Sequence, residues 1–304
     1  MFKAAGIDPD FEDYSRIDDA FRHDAMLGSI GGGNHFVEFG SVDTIIDGGF
    51  ARLAGLSKSA LVIIVHSGSL DFGQRIGTAT RERMIGRKSS RWDRRILSQA
   101  DDAELLTRFA IGQANAVNAA FVNRFFLGIQ AVEALSRCLG RDLHFHTVYD
   151  APHNAIWFDG SGTALHRKGA CPARGGADLE SATFRWVGEP VILPGSMGDG
   201  SWLLAGAGNA GLLNSSAHGA GRRLSRQEAR REPSNFDRLR VVGPVDLESP
   251  SLRSRPDIRA EALGRLREEA PAAYRPIDDV VDAMCDAGMV RRVARIKPLL
   301  TVKG

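Results

Sequence analysis

The stretch Gly31-Gly32-Gly33-Asn34-His35-Phe36-Val37-Glu38-Phe39 joins a glycine-rich turn to a short segment with the residue pattern of a β-strand. Side chains alternate between the two faces of a strand, so Asn34, Phe36 and Glu38 are expected on one face. Clustered glycines allow a backbone to come close to a ligand, because glycine carries no side chain. The stretch therefore predicts a strand that begins beside a binding site.

A second strand is predicted from the continuous apolar run Ala60-Leu61-Val62-Ile63-Ile64-Val65. Runs of this kind are typical of strands that are buried on both faces. The run is followed directly by His66-Ser67-Gly68-Ser69, whose polar side chains would lie at the end of the strand. We expect a functional site there, since strand ends are where such side chains collect.

Helices are predicted where apolar residues recur at helical spacing. The clearest covers residues 103–139, with a possible break near Gly112 and an end at Gly140. Residues 258–268 and 277–287 are predicted to form two shorter helices.

Further strands are predicted from alternating apolar residues, first of all over residues 142–148. Two hairpins are also expected, one from residues 156–158 and 164–166 around the turn at 159–162, and one from residues 191–193 and 202–204 around the loop at 194–201.

Composition excludes several classes of protein. The 304 residues are 43% hydrophobic and 25% charged with a net charge of +2, which excludes disordered and fibrous chains and argues against a tail that coats polyanions. Apolar runs fall well short of the ~20 residues that cross a bilayer, so we expect a cytoplasmic protein without a membrane segment. Cys138, Cys171 and Cys285 are far apart in sequence and are interpreted as reduced thiols.

Four histidines, His35, His66, His153 and His218, stand beside Gly, Asn or Ser rather than on an apolar helical stripe. Neutral imidazoles at strand ends are good ligands for a first-row transition metal, and such residues can converge from distant parts of a chain. The alternative is that each is an ordinary histidine with a satisfied hydrogen bond.

The segment His218-Gly219-Ala220-Gly221-Arg222-Arg223-Leu224-Ser225-Arg226 combines small residues, which let backbone N–H groups approach a phosphate, with arginines that bind phosphate oxygens. It makes a nucleotide-phosphate site plausible. A solvated charged helix explains Arg230 and the arginines after it equally well. The glycine-rich loop at 194–201 is interpreted either as a ligand contact or as a plain hairpin turn.

Together these segments resemble the RtcB-type RNA ligase family, the GTP- and manganese-dependent RNA-splicing ligases. The resemblance runs from about Leu27 to Gly304, which leaves residues 1–26 as a remnant or divergent N-terminal segment before a catalytic domain at 27–304. It is carried by GGGNHFVEF at 31–39, VHSGS at 65–69, the Ala-Asn-Arg-rich helix at 118–124, APHNA at 151–155, LHRKGA at 165–170, LPGSMG at 193–198, SSAHGAGRRLSR at 215–226, EAPAAY at 269–274 and KPLLTVKG at 297–304.

The resemblance implies an α+β fold with mixed or antiparallel sheets around a central cleft and surrounding helices. It implies an enzyme that joins RNA 3′-phosphate or 2′,3′-cyclic phosphate ends to 5′-hydroxyl ends, in RNA repair or tRNA splicing. His218 would become guanylylated by GTP, because a neutral imidazole is a nucleophile and leaves phosphorus readily once protonated. His35, His66 and His153 would hold one or two Mn²⁺ ions.

The family's nucleotide pocket also maps onto this sequence. Glu38 would accept hydrogen bonds from the guanine N1–H and exocyclic amine, which explains a preference for GTP over ATP. Lys303 would require the C-terminal residues to fold back into the site. The complete pocket would comprise Asn34, Glu38, His153, Asn154, Pro194, Gly195, Ser196, Met197, Ser201, His218, Gly219, Ala220, Gly221, Tyr274 and Lys303.

The sequence departs from the family pattern at three places. An Asp and a Cys metal ligand lie upstream of the GGGNH segment in the family and have no counterpart here, and Leu70-Asp71 replaces a phosphate-binding arginine. Cys171 stands where threonine is usual and is not expected to be a ligand. Two alternatives therefore stay open: a degenerate member that binds GTP or RNA ends without ligating them, and a one-metal phosphodiesterase.

Overall fold

The computed structural model describes residues 26–87, 99–158, 162–179, 183–232, 240–247 and 249–304. These residues form two compact units. One contains residues 26–29 and the described parts of Ser67–Gln130 and Asn154–Arg167, and the other contains those of Ile30–His66, Ala131–His153 and Lys168–Gly304. The predicted N-terminal segment at 1–26 lies outside the described residues except for Met26.

Strands and helices are numbered here in chain order over the described residues. The strands are β1 (Phe36–Ile45), β2 (Leu61–His66), β3 (Asn154–Phe158), β4 (Ala164–Lys168), β5 (Ala170–Pro172), β6 (Pro190–Leu193), β7 (Ser201–Gly206), β8 (Ser215–Ala217), β9 (Val241–Val242) and β10 (Val290–Val302). The α-helices are α1 (Gly48–Leu53), α2 (Asp71–Arg87), α3 (Gln99–Leu139), α4 (Arg226–Arg231), α5 (Pro256–Glu268) and α6 (Ile277–Asp286).

The main sheet of the second unit has the strand order β2-β1-β10-β7-β6 in the described residues, with β9 added beside β10. Neighbours along this order are antiparallel, whereas β9 runs parallel to β10. The sheet is therefore mixed, and the α+β class predicted from the sequence is confirmed. β10 lies between β1 and β7, and its pairing places Thr301 opposite Glu38.

The side chains of β7 alternate between the two faces of this sheet, and helices pack against both faces. Trp202 and Leu204 belong to a buried cluster that includes Val281 of α6. Leu203 and Ala205 belong to a second cluster around Phe50 of α1. Burial on both faces fixes the register of the strands, since a shift of one residue would exchange the two clusters.

The first unit is built on α2 and α3, which are joined by the buried contacts of Phe72 and Ile76 with Ala116. The long helix predicted over 103–139 is present, and it ends where Gly140 adopts a positive φ of 64°. The predicted break near Gly112 is wrong, because the non-helical residue is Asp102, near the start of α3. β3 and β4 form the first predicted hairpin, whose turn falls partly outside the described residues.

Two further expectations from the sequence need correction. Residues 142–148 form no strand: His146 donates a hydrogen bond to the carbonyl of Ala54 at 3.1 Å and Val148 packs on the core, so this segment is held by side chains. β2 is not a doubly buried strand but an edge strand whose Leu61 is 48% exposed. In the described parts of the chain, no helix combines the length and apolar character needed to cross a membrane.

Candidate active site

Four histidines from separate parts of the sequence converge within the second unit. His35 immediately precedes β1, and His66 ends β2. His153 lies in the loop immediately before β3, and His218 directly follows the end of β8. The ring centroids lie 5.9 Å apart for His35 and His66, 5.0 Å for His66 and His153, and 4.4 Å for His153 and His218, whose rings are stacked.

The tightest group within this cluster is His66, His153 and His218. One ring nitrogen of each lies within 4.8 Å of those of the other two, which is a spacing that permits a shared metal ion. The structure thus brings the three histidines predicted as metal ligands together with the predicted nucleophile His218. His35 lies outside the tight group and contacts it through His66.

His66 is suited to act as a ligand. Burial lowers its pKa well below the usual range, and the neighbouring His153 and His218 lower it further. The side chain is therefore neutral at physiological pH, as metal binding requires. Its Nε2 is buried without a hydrogen-bond partner among the described residues, which is costly unless the nitrogen binds something. The donor set and this orphan nitrogen both fit a first-row transition metal.

The tautomer of His218 is fixed by the backbone. Its Nδ1 donates a hydrogen bond to the carbonyl oxygen of Gly169 at 2.8 Å, and because a carbonyl can only accept, Nδ1 carries the proton. Nε2 then keeps its lone pair. Burial lowers the pKa of His218, with Lys168 adding to the effect, although the bond to Gly169 opposes it. A neutral imidazole with a defined lone pair is the form that acts as a nucleophile.

Glu38 is a buried carboxyl group on β1, only 3% exposed. Ser201 donates to its Oε1 at 3.3 Å, and Thr301 donates to its Oε2 at 3.2 Å. Burial raises its pKa to about 7, although the two hydroxyl groups lower it and Asp199 raises it slightly further. Each oxygen of Glu38 is thus oriented by one hydroxyl group of the protein.

The C-terminal residues fold back toward the glycine-rich turn, as predicted. Lys303 donates from Nζ to the carbonyl of Gly33 at 2.6 Å, and Gly304 packs against the backbone of Gly31. Burial lowers the pKa of Lys303 to about 8, while Glu269 opposes this shift. Its charge contributes to the low pKa of His66, so an amine stands within electrostatic range of the histidine cluster.

The loop between β6 and β7 is held rigidly at its base. The Gly195 amide donates to Ser201 Oγ at 3.2 Å, and Asp199 accepts from the Ile277 amide at 3.3 Å at the start of α6. Pro194, Ser196 and Met197 are buried. The loop predicted to contact a ligand is therefore anchored to the same serine that orients Glu38.

Tyr274 and Arg222 form a polar network with Glu269. The Tyr274 hydroxyl donates a short hydrogen bond to Glu269, and Arg222 Nη1 donates to Glu269 at 3.3 Å and to the Tyr274 hydroxyl at 3.2 Å. Burial and the Glu269 carboxylate raise the pKa of Tyr274 above its ordinary value. Arg222, predicted as a phosphate ligand, thus uses one edge of its guanidinium for a protein carboxylate.

The remaining predicted residues differ in their exposure and in their position along the chain. Asn34 is exposed beside His35, and Asn154 is exposed at the start of β3 in the first unit. Cys171 is buried, with its sulfur 3.3 Å from the Ser216 hydroxyl, and it lies outside the histidine group found among the described residues. Gly219 and Ala220 follow His218 and lead to Gly221, which has a positive φ of 75°.

Comparison with known proteins identifies the family. Residues 9–304 match the family described as tRNA-splicing ligase RtcB. The chain belongs to this family. The matched range begins ahead of Leu27, where the sequence motifs alone placed the start of the resemblance.

Individual RtcB proteins are similar to nearly the whole chain. The tRNA-splicing ligase RtcB of Pyrococcus furiosus is 35% identical over 297 residues, covering 92% of this chain and 30% of the relative. The tRNA-splicing ligase RtcB of Thermococcus kodakarensis is also 35% identical, and the match covers 60% of that relative. The RNA-splicing ligase RtcB2 of Escherichia coli is 35% identical, and the match covers 64% of its length. The chain thus spans about a third to two thirds of the length of these relatives.

Sequence reasoning missed two residues of this RtcB site. Glu269 was noted only as part of the EAPAAY motif, yet it accepts hydrogen bonds from both Tyr274 and Arg222. Thr301 was passed over in the terminal motif, although it is bound to Glu38. No local sequence pattern marks these residues. Thr301 could have been found only from the pairing of β10 with β1, and Glu269 only from the contact between Arg222 and Tyr274.

Proposed function

We propose that this RtcB-family chain is a GTP-dependent RNA ligase that joins RNA 3′-phosphate or 2′,3′-cyclic phosphate ends to 5′-hydroxyl ends, in tRNA splicing or RNA repair in the cytoplasm. The observation that carries the proposal is the hydrogen bond from His218 Nδ1 to the Gly169 carbonyl within a cluster of histidines. It leaves Nε2 of a neutral imidazole as the nucleophilic atom.

In the proposed first step, His218 Nε2 attacks the α-phosphorus of GTP. A P–N bond forms, the bond from the α-phosphorus to the bridging oxygen breaks, and pyrophosphate leaves. The Gly169 carbonyl stabilises the positive charge that the imidazole acquires, because it accepts from Nδ1–H at 2.8 Å. Protein contacts that favour developing charge in this way lower the barrier of the step.

Two transfers would follow. An oxygen of the RNA 3′-phosphate attacks the guanylyl phosphorus, and the P–N bond to His218 breaks, which returns the imidazole to its neutral form. The RNA 5′-hydroxyl then attacks the activated 3′-phosphorus and loses its proton to solvent, and GMP leaves with the electrons of the P–O bond that joined it to that phosphorus. A 2′,3′-cyclic phosphate would first be opened by water to give the 3′-phosphate.

The metal assigned to this site is Mn²⁺, as one or two ions. His35, His66 and His153 would hold it, and the lowered pKa of His66 keeps that ligand in its neutral form. When bound, Mn²⁺ would neutralise phosphate charge and favour the attacking oxygen. Lys303 would add a positive charge near the phosphates.

The guanine base is assigned to Glu38. Its two oxygens each accept one hydroxyl hydrogen bond and retain further acceptor sites, which match the N1–H and 2-amino group of guanine. The loop at 194–197 and Tyr274 would line the nucleoside. Asn34 and the backbone at 219–221 complete the proposed pocket within the second unit.

The test is covalent labelling of the protein. The chain is incubated with Mn²⁺ and GTP labelled on the α-phosphate, denatured and examined for acid-labile label. We expect label on the native chain and none on His218→Ala, with His144→Ala as the control because His144 is exposed and lies outside the histidine group.

Label that persists in His218→Ala would overturn His218 as the nucleophile. Selective GTP binding without label would favour the binding protein that the sequence left as an alternative. Joining of RNA ends is then measured with the same variants, and a labelled chain that joins no ends would contradict the ligase proposal while leaving the first step intact.

A further inference from the structure

Thr301 stands in an unusual place for a polar residue. It is 3% exposed and lies on β10 directly opposite Glu38 of β1. Its backbone amide donates to the carbonyl of Arg240 at 2.9 Å, so the residue is held from the β9 side as well. A β-branched side chain on such a fixed backbone has little rotational freedom, and its hydroxyl points at Glu38 Oε2 from 3.2 Å.

The hydroxyl groups of Ser201 and Thr301 donate to different oxygens of the Glu38 carboxylate. Ser201 donates a hydrogen bond to Oε1, and it also accepts one from the Gly195 amide of the predicted ligand loop. Thr301 serves Oε2. Each oxygen of a carboxylate has two acceptor sites, so each keeps one that points away from the protein donor.

From this geometry we propose that Thr301 is a positioning residue that sets the purine selectivity of the nucleotide site, by holding Glu38 as a double acceptor that matches guanine. The inference rests on the proposed function, since it assumes that Glu38 meets the base. Guanine offers two adjacent donors, N1–H and the 2-amino group. Adenine offers an acceptor at N1 beside a donor, so a double acceptor rejects it.

The protonation state of Glu38 decides which base it matches. A protonated carboxyl group presents one donor and one acceptor, and this pair is complementary to adenine rather than guanine. The groups that face Glu38 are Ser201 and Asp199 from β7 and the loop before it, Thr301 from β10, and apolar Ile64 from β2. Burial and Asp199 favour protonation, and the two hydroxyl groups oppose it.

Removal of the Thr301 hydroxyl should therefore act in two ways. It releases the orientation of Oε2, and it extends the protonated form of Glu38 to higher pH. Both effects weaken GTP binding, and the second strengthens ATP binding relative to it. A purely structural role for Thr301 would change stability and leave the ratio of the two nucleotides unaltered.

The experiment measures equilibrium binding of labelled GTP and ATP by dialysis between about pH 6 and pH 9, around the pH at which Glu38 titrates. The native chain is compared with Thr301→Val, which keeps the shape of the side chain, and with Thr301→Ser, which keeps the hydroxyl. Thr44→Val is the matched control, because Thr44 is an exposed threonine on β1 whose side-chain hydroxyl donates to the neighbouring Asp43. Thermal unfolding is recorded for each variant.

We expect the GTP:ATP affinity ratio of Thr301→Val to fall about tenfold, the typical effect of losing a hydrogen bond to a charged group. The pH at which selectivity for GTP appears should move upward, while Thr301→Ser and Thr44→Val resemble the native chain. An unchanged ratio and pH profile in Thr301→Val would overturn the inference. If Thr301→Val does not fold, Ser201→Ala, which removes the donor to Oε1, is expected to lower the same ratio.

Dialysis needs no covalent reaction, so the two proposals fail in different ways. A native chain that binds GTP selectively and is never labelled contradicts the ligase proposal and leaves the role of Thr301 open to the ratio measurement. A native chain that binds GTP and ATP equally at all pH values overturns the role of Thr301, even if His218 is labelled.

Discussion

Lys303 donates a hydrogen bond from its side-chain nitrogen to the carbonyl oxygen of Gly33 at 2.6 Å. The contact joins the C-terminal residues to the glycine-rich turn that precedes His35 and β1. Burial lowers the pKa of Lys303, and because Glu269 offsets this only in part, a further negative group nearby would stabilise the charged amine. A bound triphosphate would be such a group.

Lys303→Met is expected to lower GTP affinity about tenfold, because it removes the charge that the phosphates would meet. The pKa of about 8 means that the native amine loses its proton as pH rises through that value, so native affinity should decline there. The variant should show no such decline. Equilibrium dialysis from neutral to alkaline pH checks both points, with exposed Lys297→Met as the control. Equal affinities for the native chain and Lys303→Met would contradict the assignment.

Replacement of single histidines by alanine should separate metal ligands from the nucleophile. His66→Ala and His153→Ala are expected to lower Mn²⁺ affinity at least tenfold, measured by calorimetry, and His35→Ala should do the same. His218→Ala should retain the metal, since Nδ1 of His218 is engaged by Gly169 and Nε2 is assigned to the nucleotide. The reverse result, with His218 needed for the metal and His35 dispensable, would assign the ion to the tight group of His66, His153 and His218.

The same titration carries a pH dependence. The lowered pKa of His66 keeps its imidazole neutral below the usual range, so Mn²⁺ binding should persist into mildly acidic solution rather than disappear near the ordinary histidine pKa of about 6.5. Exposed His166→Ala serves as the control and should leave the binding curve unchanged.

Glu38→Gln should stabilise the fold and abolish selectivity for GTP. The folded-state pKa of about 7 lies above the unfolded value, so the stability that this carboxyl group contributes is present at low pH and is lost as pH rises through about 7. At pH 8 the buried carboxylate opposes folding by about 3 kcal/mol, which the neutral amide avoids.

Thermal unfolding of the native chain and of Glu38→Gln, recorded from about pH 4 to pH 8, tests this prediction, since this pH interval spans both the ordinary glutamate pKa and the raised pKa of Glu38. The advantage of the variant should grow with pH. Glu133→Gln is the control, because the Glu133 side chain is 58% exposed and pairs with Arg137 on the helix surface. Parallel curves for the native chain and Glu38→Gln would contradict a raised pKa at Glu38.

A different carboxyl group, Glu189, should behave in the opposite way. It is fully buried and accepts hydrogen bonds from Arg174 and from the Tyr149 hydroxyl. Burial raises its pKa, but these hydrogen bonds outweigh burial, and the net pKa is lowered. The stability it contributes is therefore present above about pH 4 and lost as pH falls further.

Glu189→Gln is expected to cost about 2 to 3 kcal/mol at pH 7, since it leaves the Arg174 guanidinium without its carboxylate. The value lies at the low end for such pairs because the Arg174 side chain is 43% exposed. Urea unfolding measures it, and the difference between the two chains should disappear in strong acid. A loss below about 0.5 kcal/mol, as surface pairs give, would show that the pair contributes little.

Much of the architecture around the site could be predicted from local sequence. The run before His66 predicts a strand because β-branched residues favour extended backbone, and the histidine does end β2. The glycine after residue 139 predicts the end of α3, since only glycine adopts its positive φ without strain. The pairing of β6 with β7 follows from two apolar segments around a glycine-rich loop.

What failed depended on partners distant in sequence. Residues 142–148 alternate like a strand, but an alternating segment becomes a strand only if a sheet edge is free to pair with it, and here His146 and Val148 are held by side-chain contacts. The depth of burial of β2 depended on its position at the edge of the sheet. Thr301 and Glu269 gained their roles from β10 pairing with β1 and from Arg222, which no local pattern encodes.

The position of β10 between β1 and β7 also determines when the main sheet can be completed during synthesis. β10 is inserted between β1 and β7, and Val302 pairs with Val37. While a ribosome is synthesising the chain, β1 and β7 emerge with the gap between them unfilled, and the sheet closes only after residue 302 has been released. The surroundings of Glu38 are thus complete only after Thr301 has left the ribosome, because Thr301 of β10 supplies one of the two hydroxyl hydrogen bonds to this carboxyl group.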